Sequence, residues 1–170
     1  MKALVTGANG FTGSHLVKSL RQRGDSVVGL VRKSSDLSRL KDTQIQLVTG
    51  NITDRKALRE AMQDVDTIFH TAAFVELGVV DAAQMEQVNV EGTQAVLEIA
   101  KEMEISKMVY CSTIGIYGDT NGEVVDETFE RTQEHFSSAY DSTKYEAQQL
   151  VDNYAVIGLP VVSVMPSGIF

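Results

Sequence analysis

Tyr140 and Lys144 stand four residues apart in a stretch of helical period, Ser138 to Val156, so their side chains share one face. Of the five tyrosines, only Tyr140 has a lysine at that offset. A phenol with an ordinary pKa of about 10 is a poor base at neutral pH, and bringing it toward 7 takes about 4 kcal/mol in favour of the phenolate. A lysine cation held close by is one source of that energy. A surface pair without function has the same spacing, and what sets this pair apart is its company. Ser112 and Thr113 follow the short apolar run Met108 to Cys111, and ligands of open parallel sheets bind beyond the carboxyl ends of the strands. A hydroxyl there can hold a substrate oxygen for proton exchange with Tyr140. Turn chemistry is the plainer origin of two hydroxyls after a strand.

A second set of residues has the chemistry of nucleotide binding. The first apolar run, Lys2 to Val5, leads into Gly7-Ala8-Asn9-Gly10-Phe11-Thr12-Gly13, where a helical pattern opens. Glycines at such a turn let the backbone approach a ligand, and the free N–H groups of the helix start face a diphosphate. A tight strand-to-helix turn without a ligand is the competing reading. Arg32 falls 19 residues after Gly13, at the end of the next run, where an NAD site places an acid on the ribose 2′-hydroxyl. A cation there suits a 2′-phosphate. With Lys33, Ser34, Ser35 and Arg39 it forms one local basic patch, which favours NADP(H) over NAD(H); an ordinary solvated charge cluster is the competing reading. In Gly50-Asn51-Ile52-Thr53-Asp54, Ile52 can line an adenine pocket beside Asn51, while Thr53 or Asp54 suits a helix N-cap. His70-Thr71-Ala72-Ala73 ends the fourth run with small residues over which a cofactor can pass. His70, without acidic or thiol company, reads as structural.

These groups need a scaffold, and the apolar pattern supplies one. Short runs rich in Val, Ile and Leu lie at Lys2 to Val5, Ser26 to Val31, Ile45 to Val48, Thr67 to Phe69, Met108 to Cys111 and Val161 to Met165, with the look of strands buried on both faces. Helical patterns separate them at Gly13 to Arg23, Asp54 to Met62, Gln84 to Met103 and Ser138 to Val156. The alternation implies right-handed βαβ units in an α/β, doubly wound parallel sheet. Asp119 to Phe136 breaks the rhythm and reads as a long loop, a length usually reserved for function or mobility. At 170 residues with 43% hydrophobic content, one domain over residues 1–170 is expected. The net charge of −8 disfavours nucleic acid and anionic membrane surfaces as partners. No apolar run nears the roughly 18 residues of a membrane span. A single cysteine, Cys111, permits no internal disulfide and fits a cytoplasmic setting. His15, His70 and His135 are too scattered to suggest a metal. The apolar last residues, Val161 to Phe170, suggest a chain cut within its core.

In order and together, Thr6-Gly7-x-x-Gly10-x-x-Gly13, His70-x-Ala72-Ala73, Asn89-x-x-Gly92-Thr93, Ser112-Thr113 with Tyr117-Gly118, Tyr140-x-x-x-Lys144 and Pro166 resemble the extended short-chain dehydrogenase/reductase family, which shares the NAD-dependent epimerase/dehydratase fold. Leu30-Val31-Arg32 and Phe69 to Ala73 are most similar to its dihydroflavonol-4-reductase-like branch, which generally prefers NADP(H). The resemblance implies a Rossmann-type sheet of order 3-2-1-4-5-6. It implies Tyr140 as general acid/base, Lys144 on the nicotinamide ribose lowering the tyrosine pKa, and Thr113 where the family usually has serine. Asn89 would set helix geometry near the site. The cofactor would rest on Gly7, Asn9, Gly10, Phe11, Thr12, Gly13, Arg32, Lys33, Asn51, Ile52, Thr71, Ala72, Ala73, Ser112, Tyr140, Lys144 and Pro166. Two positions depart from the pattern: Thr113 is β-branched, and Asn51 stands where Asp commonly meets the adenine amino group. Family chains are roughly twice as long and continue into a substrate-binding part, leaving here only the Asp119 to Phe136 loop and Phe74 to Val80 to shape a pocket. The helices from Gln84 and Ser138 commonly form a homodimer interface in such proteins. The activity implied is reduction of a small-molecule carbonyl, or oxidation of an alcohol. The alternatives are an NAD-dependent nucleotide-sugar epimerase or dehydratase and a non-catalytic NADP-binding redox sensor.

Overall fold

The computed structural model describes residues 1–75 and 81–169. Strands β1 (Lys2–Thr6), β2 (Ser26–Val31), β3 (Gln46–Thr49), β4 (Thr67–His70), β5 (Lys107–Cys111) and β6 (Val161–Val164) alternate with helices α1 (Phe11–Gln22), α2 (Arg55–Ala61), α3 (Ala82–Glu86), α4 (Gly92–Glu102) and α5 (Ala139–Val156). The strands form one parallel sheet in the order β3-β2-β1-β4-β5-β6, as expected. The chain reverses its direction of winding between β1 and β4, and the crevice at that switch point is where open α/β sheets hold ligands.

Side-chain alternation splits the core into two layers. Leu4, Val28, Ile68, Met108 and Tyr110 point to the face covered by α2, α4 and α5. Ala3, Val5, Val27 and Val31 meet Val17 and Leu20 of α1 on the other face. Burial of a large aliphatic side chain contributes about 1.5–3 kcal/mol, so these layers dominate what holds the sheet. In this chain the two outermost strands are partly exposed. Leu47 of β3 is 41% exposed, and Val162 and Val164 of β6 are 58% and 46% exposed. Apolar content marks a strand, but only its position in the sheet decides which faces are covered.

Helix starts and breaks also differ from the periodicity. Helix α1 begins at Phe11, two residues before the expected Gly13, since Gly10 is its N-cap; no side chain caps it. By contrast Asp54, not Thr53, caps α2 by accepting from the amides of Lys56 and Ala57, and Ser138 caps α5 by accepting from Asp141. The stretch expected as one helix from Gln84 to Met103 is interrupted by a wide π turn over Gln87–Glu91, a device common at functional sites.

The glycine turn after β1 is a packing requirement. Gly7 has φ +67°, and a Cβ on Gly13 would stand 2.1 Å from the Gly7 carbonyl oxygen. Since backbone on both sides must move, Gly13→Ala is expected to lower stability by about 2 kcal/mol. Urea denaturation checks this, and an unchanged midpoint would show that the turn relaxes freely.

Candidate functional site

The crevice at the switch point is lined by Gly7, Asn9 and Gly10 from the first turn, Leu30, Val31, Arg32 and Ser35 from the end of β2, Gly50 to Ile52 after β3, and Thr71 to Phe74 after β4, with Val88 from the π turn. Nine residues expected at a cofactor are therefore brought together: Gly7, Asn9, Gly10, Arg32, Asn51, Ile52, Thr71, Ala72 and Ala73. Phe11, Thr12 and Gly13 form the first turn of α1 beneath them. Lys33 borders an adjoining hollow shared with Arg32, Ser34 and Asn51.

The crevice fits a dinucleotide on three observations. A Cβ on Gly7 would meet the Ala72 backbone at 2.8 Å, so the floor admits no side chain. The uncapped start of α1 leaves amides free for a diphosphate. Arg32 follows β2 exposed, without a carboxylate partner among the described residues, while the nearby Asp36 is held below the usual carboxylate range by hydrogen bonds from the Ser38 amide and hydroxyl.

Beyond β5 lies the second group. Tyr140 sits in the first turn of α5 and is partly buried; Lys144, one turn on, is 2% exposed. The Lys144 ammonium donates to Tyr110 Oη at 2.7 Å and to the Cys111 carbonyl at 2.8 Å, and has no carboxylate partner among the described residues. Burial pulls its pKa down to about 8, opposed by attraction to Cys111. Tyr140 departs from the expected activation: burial, with Cys111 and Asp141 adding to it, pushes its phenol up. Lys144 turns two of its three donors to β5, and the raised phenol of Tyr140 is a neutral acid at neutral pH.

Thr113 follows β5, and its Oγ1 accepts from the Gly115 amide at 3.2 Å, which caps the short turn Ile114–Tyr117 and leaves its own proton free. Pro166 lies alongside, its carbonyl accepting from the Ile114 amide at 3.2 Å. Ser112 is 2% exposed and lies outside the crevice lining, and its hydroxyl has no hydrogen-bond partner among the described residues. Alternation along β5 turns 112 to the inner face shared with Tyr110 and leaves 113 at the edge.

Asn89 ties the two groups together. Its Oδ1 accepts from the Phe74 amide at 2.7 Å, and its Nδ2 donates to the Phe74 carbonyl at 3.0 Å and to Thr143 Oγ1 at 3.1 Å. Thr143 in turn donates to the Tyr140 carbonyl at 3.0 Å. The same motif positions Gly92 where a Cβ would clash with Ile52 at 2.5 Å, and Thr93 where it meets His70. His70 is structural, as read from the sequence. It is fully buried, bonded to Thr6 and Thr93, and held near pKa 3 by burial and the Lys144 charge.

The loop from Asp119 to Phe136 contains no helix or strand, as expected, but it is braced. Arg131 lies 4.1 Å from the Phe136 ring centroid and donates to the carbonyls of Gln133, His135 and Ile116. The other segment expected to shape a substrate pocket, Phe74 to Val80, lies outside the described residues from 76 on. Sequence reasoning missed Val88, Tyr110 and Arg131. Tyr110 carried no signal, being one residue of an apolar strand, and Val88 was absorbed into the helical period.

No described helix is long and apolar enough to cross a membrane. The chain is 36% identical over 166 residues to a Synechocystis protein named as a candidate dihydroflavonol 4-reductase, covering 96% of this chain and 48% of that one. It is 34% identical over 177 residues to a 3 beta-hydroxysteroid dehydrogenase/Delta 5→4-isomerase of Mycobacterium tuberculosis, covering 99% and 47%. Among solved structures, UDP-glucuronic acid 4-epimerase from Bacillus cereus in complex with NAD superposes with a TM-score of 0.86 at 27% identity, covering 100% of this chain and 57% of that one. The chain thus spans about half the length of the relatives it matches. The nucleotide-binding turn, the switch-point crevice and the Tyr140–Lys144 helix agree with the match over residues 3–170, and the chain belongs to the NAD dependent epimerase/dehydratase family.

Proposed function

We propose that this chain binds NADP(H) and carries the proton-transfer residues of an oxidoreductase that interconverts a carbonyl and an alcohol. The observation that carries the reading is Lys144: an ammonium 2% exposed, without a carboxylate partner among the described residues, one turn from Tyr140 at the carboxyl edge of the sheet. A buried unpaired charge is costly, and such groups concentrate where chemistry uses them. The nicotinamide, when bound, supplies or takes up a hydride.

The chain's own residues handle the oxygen. In the reductive direction Tyr140 gives its phenolic proton to the substrate oxygen, Thr113 donates a hydrogen bond to that oxygen, and the positive charge of Lys144 stabilises the phenolate left behind. Solvent reprotonates Tyr140. In the oxidative direction Tyr140 must first lose its proton. Asn89 holds the crevice wall at Phe74 and the backbone of Tyr140 in one arrangement, so the acid and the cofactor floor keep their spacing.

Arg32, Lys33 and Ser35 would hold the 2′-phosphate. A charge-assisted contact of this kind is worth about 1.5–3 kcal/mol, or roughly ten- to hundredfold in affinity. NADPH is therefore expected to bind that much tighter than NADH, and Arg32→Asp to erase or reverse the preference. Fluorescence titration with both cofactors checks this, and equal affinities in the unaltered protein refute it. The resemblance to an NAD-bound epimerase supports a second reading, a nucleotide-sugar epimerase that retains its cofactor. Protein that copurifies with NAD and turns over without added cofactor would select it. A non-catalytic sensor has no use for the buried Lys144 beside Tyr140.

A further inference from the structure

Thr6, His70 and Tyr110 are register partners across β1, β4 and β5, so three polar side chains stand in one row just inside the carboxyl edge of the sheet. All three are fully buried, where an unpaired polar atom costs about 1–3 kcal/mol. Counting donors gives the row a direction. Thr93 donates its hydroxyl proton to the Asn89 carbonyl at 2.7 Å, so toward other neighbours it can only accept. His70 Nε2, 3.0 Å from Thr93 Oγ1, therefore carries the imidazole proton, and His70 Nδ1 accepts from Thr6 at 2.7 Å. The Ala72 amide closes that end by donating to Thr6 Oγ1 at 3.3 Å. At the other end the Tyr110 hydroxyl accepts from Lys144 at 2.7 Å and lies beside Thr93.

We propose that Tyr110 is a positioning residue for Lys144: its hydroxyl, beside the Cys111 carbonyl, is an acceptor that keeps the buried ammonium charged and fixed one turn from Tyr140. The inference rests on the use of Lys144 at the cofactor set out above. Burial pushes the Tyr110 phenol far up, so it stays neutral and its oxygen remains available as an acceptor. The other titratable groups facing Lys144 are Cys111 on the same strand, pushed up by burial, His70 on β4, held neutral, and Tyr140 on its own helix, also pushed up. Packed against them, α4 brings Thr93, which does not titrate. Around pH 8 the lysine is thus the group that changes charge.

The test follows the ε-carbon resonance of Lys144 in chain carrying isotope-labelled lysine, assigned by its loss in Lys144→Met, together with NADPH affinity. In Tyr110→Phe the midpoint near pH 8 is expected to fall by about one pH unit, since a hydrogen bond to the charged form is lost. Thr93→Val, which leaves the Tyr110 hydroxyl in place without its polar neighbour, is expected to move it the same way by less. NADPH affinity at pH 8 falls several-fold with the lost charge. An unchanged midpoint in both variants overturns the proposal, as does a shifted midpoint with unchanged NADPH affinity. If the unaltered chain binds neither NADPH nor NADH, the functional reading fails, and the resonance alone decides whether Tyr110 holds Lys144.

Discussion

Tyr140→Phe is expected to lower turnover of the protein carrying this chain by about 10²–10⁴-fold, the usual contribution of a positioned acid or base, while leaving NADPH binding little changed. Among the described residues the Tyr140 hydroxyl hydrogen-bonds to none, so its removal leaves no partner unsatisfied and the fold should be indifferent. The backbone that aims it is held independently, by the Ser138 cap and by Thr143. Burial holds the phenol above its ordinary value, so Tyr140 is protonated at neutral pH and ready as an acid. Reduction should therefore run well near neutrality, and oxidation should speed up as pH rises. Steady-state kinetics in both directions measure this. Turnover of the phenylalanine variant within tenfold of the unaltered protein would remove Tyr140 from the chemistry.

Lys144→Met is expected to show opposite effects on activity and stability. The folded pKa is about 8 against an ordinary 10.5, so the folded state disfavours the charged lysine. That cost is fully present below pH 8 and is relieved as pH rises from about 8 to 10.5. A shift of this size corresponds to roughly 3 kcal/mol. The stability of the methionine variant relative to the parent is thus expected to be most favourable at pH 7 and to decline by about that amount by pH 10.5. Lost hydrogen bonds to Tyr110 and the Cys111 carbonyl offset part of the gain at every pH without changing its slope. Paired urea titrations at several pH values read the difference, and a difference flat across pH 7 to 10 would mean the lysine is not strained by burial. Turnover should fall alongside, since the phenolate loses its supporting charge.

Much of the crevice was legible because its requirements are local. A strand that must turn at once into a helix, with backbone against backbone at Gly7, Gly13 and Ala72, can use few residue types, and those types show in the chain. The Tyr140–Lys144 pair was legible for a similar reason: helix geometry alone puts positions four apart on one face. The π turn at Asn89 was not, because apolar residues at three- and four-residue spacing run through it unbroken. Its hydrogen bonds to Phe74 and Thr143 join segments far apart in the chain.

The edge strands and the inner row make the same distinction at larger scale. Leu47 has the composition of a buried strand residue and stands 41% exposed on the outer strand β3, because burial belongs to a place in the sheet. Ser112 and Thr113 are neighbours in sequence, yet only Ser112 is buried, because pleating sends neighbours to opposite sides. Residue types and short spacings were enough to read the parallel α/β architecture and to single out the glycine turn and the Tyr140–Lys144 pair, since each depends on contacts within a few residues or on a repeating pattern. What Lys144 leans on was decided only when β5 came to lie beneath α5 and β4 beside it, for hydrogen bonds between such elements leave no periodic trace along the chain.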